Sequence, residues 1–195
     1  LFSHQKELFS IFKTPSPKLV LYIAPTGTGK TLSPIGLSEQ YRVIFICVSR
    51  HVGLALAKSA ISMKKKIAFA FGCETASDIR LHYFAASSYS VNKRSGGIGK
   101  VDNSVGDKFE IMICDVQSYL TAMHYMLAFN DECDVVTYWD EPTITMDYET
   151  HELHGQINKN WRENKISKMV LSCATLPKEE EIQDALMDFR GKFDD

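Results

Sequence analysis

The stretch that decides the fold is Lys18-Leu-Val-Leu-Tyr-Ile-Ala-Pro-Thr-Gly-Thr-Gly-Lys-Thr31. Its first half is a continuous apolar run of the length of a buried strand, and the residues from Thr31 onward continue with a helical pattern. Glycine at positions 27 and 29 lets backbone N–H groups turn inward, and the start of the helix adds partial positive charge. The order of strand, glycine turn and helix therefore predicts a loop that holds phosphate.

Two side chains of this loop have distinct tasks toward a nucleotide. Lys30 would place its ammonium on the outer phosphates, where it also serves catalysis, and the Thr31 hydroxyl would be a ligand of Mg²⁺. We therefore expect ATP and Mg²⁺ to bind here. The nucleotide-binding residues predicted in the loop are Thr26, Gly27, Thr28, Gly29, Lys30 and Thr31. The structural alternative is a plain glycine turn with an exposed lysine.

A second candidate site follows the apolar run Val135-Val-Thr-Tyr-Trp, which ends in Asp140 and Glu141. Asp140 can hold Mg²⁺ through its water shell, and Glu141 is the predicted catalytic group that polarises the water attacking the γ-phosphate. Taken alone, paired acids in such a place are often a solvated strand end. Because open parallel sheets bind ligands at the carboxyl ends of their strands, the loop and the acids are expected to share one edge.

Short apolar runs alternate with amphipathic stretches along the whole chain. This pattern predicts an α/β fold with three layers, in which a parallel sheet is covered by helices on both faces. The predicted strands, all expected to be fully buried, are residues 18–24, 42–49, 66–71, 109–115, 134–140 and 167–172. The predicted helices are residues 5–12, 31–40, 51–63, 116–129 and 177–189. Residues 73–108 are expected to form a helix and then a surface loop that is flexible over about 87–108.

Composition limits the classes of protein to consider. With 195 residues and 45% apolar content, the chain is expected to form a single domain over residues 1–195. A net charge of -2 excludes a polybasic coat for nucleic acid, so any such contact must be local. The apolar runs are too short to span a membrane, and five scattered cysteines favour a reducing, intracellular compartment. The absence of an initial methionine suggests a piece of a longer protein.

These residues resemble the first motor domain of a superfamily 2 helicase, of the DExD/H-box-like group with a RecA-like fold. Gln5 precedes the phosphate loop in a helix, like the glutamine with which that family reads adenine. Ser49 and Arg50 follow the second strand where the family has a Pro-Thr-Arg segment that grips a nucleic-acid backbone. Cys173-Ala-Thr175 resembles the Ser-Ala-Thr motif that couples the nucleotide site to nucleic acid and to a second domain. The resemblance implies these roles for Gln5, Ser49, Arg50 and Thr175.

The sequence also departs from that family's pattern. Thr143 fills the last place of the acidic box, which removes the narrower DEAD and DEAH labels. Cys173 replaces the first serine of the Ser-Ala-Thr motif and weakens any hydrogen bond from that position to the acidic box. Residues 115–118, Asp-Val-Gln-Ser, stand where many relatives have Thr-Pro-Gly-Arg to touch phosphates. Because an aspartate facing a phosphate would be repelled, we expect no nucleic-acid contact there.

The resemblance implies an ATP-binding and hydrolysing N-terminal motor domain of a helicase or translocase that acts on RNA or DNA. It also implies that a second RecA-like domain follows and supplies the arginine that stabilises phosphoryl transfer, so the isolated chain should hydrolyse ATP poorly. Two alternatives stay open. One is a P-loop ATPase of another class, such as a small-molecule kinase or a remodelling ATPase, and the other is a degenerate domain that serves as a binding scaffold.

Overall fold

The structure is a computed structural model that describes residues 3–14, 16–23, 32–81, 109–142 and 154–193. Within these residues the chain forms one seven-stranded sheet. Its strands are β1 (Lys18–Ile23), β2 (Arg42–Ile46), β3 (Ile67–Ala70), β4 (Arg80–Leu81), β5 (Ile111–Cys114), β6 (Val135–Asp140) and β7 (Lys168–Cys173). The six predicted strands are all confirmed. The predicted phosphate loop and the predicted flexible segment at 87–108 lie outside the described residues.

The strand order across the sheet is β1-β7-β6-β2-β5-β3-β4. All neighbouring pairs are parallel except β3 and β4, which are antiparallel. The predicted parallel sheet is thus confirmed for six strands. The two-residue strand β4 extends it as an antiparallel outermost strand beside β3. Because β7 and β6 are inserted between β1 and β2, only β7 separates the carboxyl end of β1 from the carboxyl end of β6.

Helices cover both faces of the sheet, as the alternation of patterns predicted. The helices are α1 (Ser3–Ile11), α2 (Leu32–Leu37), α3 (Arg50–Ser62), α4 (Tyr119–Phe129), α5 (His154–Glu163) and α6 (Glu179–Phe193). Along β2, Val43 and Phe45 pack into one hydrophobic cluster with α1, α2 and α3, whereas Ile44 and Ile46 pack into the other with α4, α5 and α6. Strands with apolar side chains on both faces require such a three-layer architecture.

Two expectations from the sequence are wrong in detail. β1 is only partly buried, because it is the outermost strand on its side of the sheet. Residues 73–81 do not begin a helix: they contain one turn of 3₁₀ helix at Ala76–Asp78, followed by β4. The Asp78 carboxylate accepts hydrogen bonds from the backbone N–H groups of Glu74 and Thr75, which closes this segment into a compact turn.

Candidate nucleotide site at the carboxyl edge of the sheet

The carboxyl ends of the parallel strands lie along one side of the sheet, which we call the carboxyl edge. The chain leaves β1 at Ile23, which pairs with Cys173 on β7, and Asp140 at the end of β6 pairs with Ser172 on the same strand. Because neighbouring strands lie about 4.8 Å apart, the end of β1 and Asp140 are about 10 Å apart. A carboxylate that acts through the water shell of Mg²⁺ reaches several ångströms, so this separation suits a nucleotide–metal complex between them.

Glu141 has an unusual backbone. Its φ of 49° lies in the left-handed region, which non-glycine residues occupy rarely and often at functional sites. The turn is held by its backbone N–H, which donates to the carbonyl oxygen of Ser172 at 2.8 Å. Its Oε1 atom in turn accepts a hydrogen bond of 2.9 Å from the backbone N–H of Ala174. The predicted acidic box and the predicted Cys-Ala-Thr segment are therefore in direct contact.

The side chain of Cys173 does not carry this contact. Cys173 is the last residue of β7, and its thiol is buried. The donor to Glu141 is instead a backbone N–H, which any residue other than proline supplies at position 174. The cysteine at position 173 therefore leaves the link between the two segments in place. Thr175, the next residue along, is exposed at the carboxyl edge.

The strand that carries the two acids is fixed from the side of α4 and α5. The Trp139 ring stacks on Trp161 of α5, with centroids 5.7 Å apart. The Tyr119 hydroxyl is 3.0 Å from the hydroxyl of Thr137 on β6 and donates to the side-chain oxygen of Asn164 at 2.7 Å. The buried aromatic pair and the hydrogen bonds of Tyr119 therefore pack β6 against α4 and α5.

Gln5 lies on α1 and is 2% exposed, which excludes a plain surface glutamine. Helix α1 packs against α2 where the ring of Phe9 lies over Gly36. A Cβ atom at position 36 would overlap this ring, so glycine leaves the room that the contact needs. Helix α2 begins at Leu32, directly after the predicted phosphate loop. Gln5 is thus on a helix that contacts α2, and its contact with adenine stays a prediction. Residues 26–31, which carry the other predicted nucleotide contacts, lie outside the described residues.

Ser49 and Arg50 are both exposed at the carboxyl edge, where Ser49 precedes α3 and Arg50 is its first residue. The Ser49 hydroxyl caps α3 by accepting a hydrogen bond of 3.3 Å from the backbone N–H of His51. Ser49 therefore has a structural task, as the cap of α3, beside the contact with nucleic acid that the resemblance implies.

The Arg50 guanidinium lies over the ring of Phe71, 5.6 Å from its centroid. Phe71 follows β3, and nothing local in the sequence marks its contact with Arg50, which belongs to another element.

Asp115, where a phosphate contact was excluded, has an internal role. Its Oδ2 atom accepts a hydrogen bond from the backbone N–H of Gly72 at 3.0 Å, and its Oδ1 atom accepts one from the N–H of Ser118 at 2.9 Å. The Ser118 hydroxyl also accepts from the N–H of Cys73 at 2.8 Å. The contacts of Gly72 and Cys73 join the chain after β3 to the start of α4, and the contact between Asp115 and Ser118 holds the turn before α4. A carboxylate that occupies these donors leaves them unavailable to a phosphate.

The cysteines near this edge are not candidate nucleophiles. Burial raises the pKa of the Cys47 thiol to about 12, and burial also raises the pKa of Cys114 and Cys73. A reactive thiol needs a depressed pKa and access to solvent, and these groups have neither. All five cysteines are free; four are buried, and Cys133 is exposed.

Comparison with known proteins gives the fold. No protein-family model and no curated protein matches the sequence. Among solved structures, a hypothetical ATP-dependent RNA helicase from Sulfolobus tokodaii superposes with a TM-score of 0.54 at 16% identity, over 98% of this chain. The Hef helicase domain from Pyrococcus furiosus superposes with a TM-score of 0.55 at 16% identity, over 95% of this chain. The chain spans 50% and 36% of the lengths of those two chains.

The fold is accordingly the RecA-like α/β fold of helicase domains. At this level of identity the comparison concerns architecture alone, so the chemistry must be argued from residues. Within the described ranges, no helix is long and apolar enough to cross a bilayer.

Proposed function

We propose that this chain is the first RecA-like motor domain of a nucleic-acid helicase or translocase, and that it binds and hydrolyses ATP. The single observation that carries the proposal is the hydrogen bond from the backbone N–H of Ala174 to the Glu141 side chain. Ala174 follows β7, the strand that lies directly beside β1. It connects a carboxylate suited to activating water with an exposed segment that reaches the surface at Thr175. A motor needs such a physical link between hydrolysis and the contact with its track.

In this proposal the residues of the chain have separate tasks. Lys30 and the loop backbone bind the phosphates, Gln5 reads the adenine, and Thr31 and Asp140 hold Mg²⁺. Bound Mg²⁺ neutralises charge on the phosphate oxygens. Glu141 orients the attacking water and accepts its proton, and its position at the end of the buried strand β6 suits that task.

The same geometry suggests how hydrolysis is coupled to nucleic acid. Thr175 is adjacent to the residue whose N–H contacts Glu141, and Ser49 and Arg50 lie at the same edge after β2. A strand bound across Arg50 and Thr175 would shift the backbone at Ala174, and this shift would change the orientation of the Glu141 carboxylate. Nucleic acid would thereby control the rate of ATP hydrolysis.

The test is the rate of ATP hydrolysis by the intact protein, measured at low salt with and without single- and double-stranded RNA or DNA. We expect at least one nucleic acid to stimulate hydrolysis, and we expect Glu141→Gln to abolish the stimulated rate. Hydrolysis that is indifferent to every nucleic acid would favour a P-loop ATPase of another class. Failure to bind a fluorescent ATP analogue would instead identify a degenerate scaffold.

A further inference from the structure

The contact between Arg50 and Phe71 has no part in the assignments above. Arg50 is exposed at the start of α3, and its guanidinium lies over the half-buried ring of Phe71. A guanidinium within about 6 Å of a ring centroid is attracted by the ring face, and its planar group can stack there while its edges remain available. Among the residues that the structure describes, no carboxylate forms a salt bridge with Arg50. Its charge is therefore not neutralised within this part of the chain.

The ring of Phe71 packs against α3 at Gly53. A Cβ at Gly53 would lie 2.9 Å from the Phe71 Cζ atom and 2.9 Å from the Cγ2 atom of Ile113. Only the missing side chain at Gly53, one turn after Arg50, leaves room for the ring against the helix. Phe71 also stacks on Phe69, with centroids 6.1 Å apart. The ring is therefore packed between Phe69 and the first turn of α3.

The chain that follows Phe71 is fixed as well. Gly72 has a φ of +60°, a conformation that favours glycine, and its N–H donates to Asp115. The next N–H, of Cys73, donates to the hydroxyl of Ser118 at the start of α4. Two consecutive backbone groups are therefore tied to another element. These two hydrogen bonds hold the segment that follows Phe71 against the start of α4.

We propose that Phe71 is a positioning residue, which holds the Arg50 guanidinium at the carboxyl edge in the orientation that binds a phosphodiester of a nucleic-acid strand. This inference rests on the proposed function and deepens it, since it explains how an exposed arginine is kept ready for a strand. A long flexible side chain loses conformational entropy when it binds, and a ring that pre-orients it reduces that loss. Asp115 and Gly53 act indirectly, because they keep Phe71 in place.

The test is a double-mutant cycle in the intact protein. Binding of a fluorescent single-stranded oligonucleotide, as RNA and as DNA, is measured over a range of salt concentrations for Phe71→Leu, Arg50→Ala and the double variant. We expect Arg50→Ala to weaken binding and to lower the slope of log affinity against log salt by about 0.7, the value for one lost phosphate contact on a single strand. We expect Phe71→Leu to weaken binding about two- to fivefold when Arg50 is present, and to have no further effect in Arg50→Ala.

Conservative variants separate positioning from a purely structural role. Phe71→Tyr retains the ring face and should restore binding to within about twofold of the unmodified protein. Arg50→Lys retains the charge but loses the planar group that stacks on the ring, so Phe71→Leu should have a smaller effect in that background. Phe129→Leu, in an exposed phenylalanine of α4, is the matched control and should leave the affinity unchanged. Urea unfolding of each variant identifies any loss of affinity that follows from loss of the fold.

Two results would overturn the inference separately from the proposed function. If the protein binds nucleic acid and Arg50→Ala weakens binding, but Phe71→Leu has the same effect with and without Arg50, the ring does not position the arginine. If Phe71→Leu binds as well as the unmodified protein, the same conclusion holds. A protein that binds neither oligonucleotide contradicts the proposed function itself.

Discussion

The Oε1 atom of Glu141 accepts a hydrogen bond of 2.9 Å from the backbone N–H of Ala174, across the ends of the neighbouring strands β6 and β7. The left-handed backbone at Glu141 turns its side chain toward β7 rather than along the strand. A conformation of this kind costs about 1 kcal/mol or more, and it persists where the surrounding structure enforces it. Here the second hydrogen bond, from the Glu141 N–H to Ser172, supplies that constraint.

Glu141→Gln should separate nucleotide binding from hydrolysis. The amide oxygen of glutamine can still accept from the Ala174 N–H, so the fold and the affinity for ATP should change little. The amide cannot accept a proton from water, and a general base contributes about 10²- to 10⁴-fold, so the hydrolysis rate should fall at least about 100-fold. Phosphate release and titration with a fluorescent ATP analogue in the intact protein measure the two quantities. Unchanged turnover would remove Glu141 from the catalytic role.

Asp115→Ala should destabilise the fold by about 1–2 kcal/mol, because two backbone N–H groups lose the carboxylate that accepts their hydrogen bonds. The variant removes the acceptor for the N–H groups of Gly72 and Ser118. Asp115→Asn keeps one acceptor oxygen, and its loss should be smaller. The free energy of unfolding in urea is the relevant measurement. A variant with alanine that is as stable as the unmodified protein would show that the two contacts carry no net stability.

Gly36→Ala should destabilise the protein by about 1–3 kcal/mol, as overpacking of a fitted contact does. The new Cβ would overlap the Phe9 ring and push α1 away from α2. Gly191→Ala is the matched control: nothing lies within 4 Å of a Cβ at that helical position, so the same substitution should stabilise by about 0.4–1 kcal/mol. Thermal or urea unfolding compares the two variants. If both alanines shift stability in the same direction, Phe9 does not limit the space at position 36.

Stability should decline at alkaline pH because of the buried thiols. The pKa of Cys47 is raised to about 12, whereas a cysteine in the unfolded chain titrates near 8.5. The stabilisation is complete below about pH 8.5, and it is lost as the pH rises from there to about 12, because the unfolded chain releases its proton first. Unfolding free energies between pH 7 and pH 10 should therefore fall less steeply in Cys47→Ala. Cys133→Ser, which removes an exposed thiol, should keep the slope of the unmodified protein.

Much of the fold could be predicted because its strands are buried on both faces. The runs around β2 and β6 are continuously apolar, and in the structure every residue from Val135 to Trp139 is buried. β1 is also largely apolar, but it is less buried than β2 and β6 because it is an outermost strand of the sheet. Its outermost position follows from the order of the strands. Strand order depends on contacts between distant segments, and a pattern of apolar residues does not encode it.

The site was predictable where a motif is local in the sequence. Asp140 and Glu141 end an apolar run, so their place at the carboxyl edge followed from the strand itself. The contribution of Phe71 was not predictable, because it arises from Gly53 and Arg50 on another element. The polar segment at residues 73–81 was misread as helical, since a carboxylate at Asp78 closes it as a turn.

The central claim is that the phosphate loop and the acid pair act on one nucleotide–metal complex. The most direct measurement is the affinity of the intact protein for a fluorescent ATP analogue, with Mg²⁺ and with a chelator, for the unmodified protein and for Asp140→Asn. The account predicts that Mg²⁺ strengthens binding to the unmodified protein and that this gain is largely lost in Asp140→Asn, while affinity in chelator stays the same. An equal gain from Mg²⁺ in both proteins would contradict it.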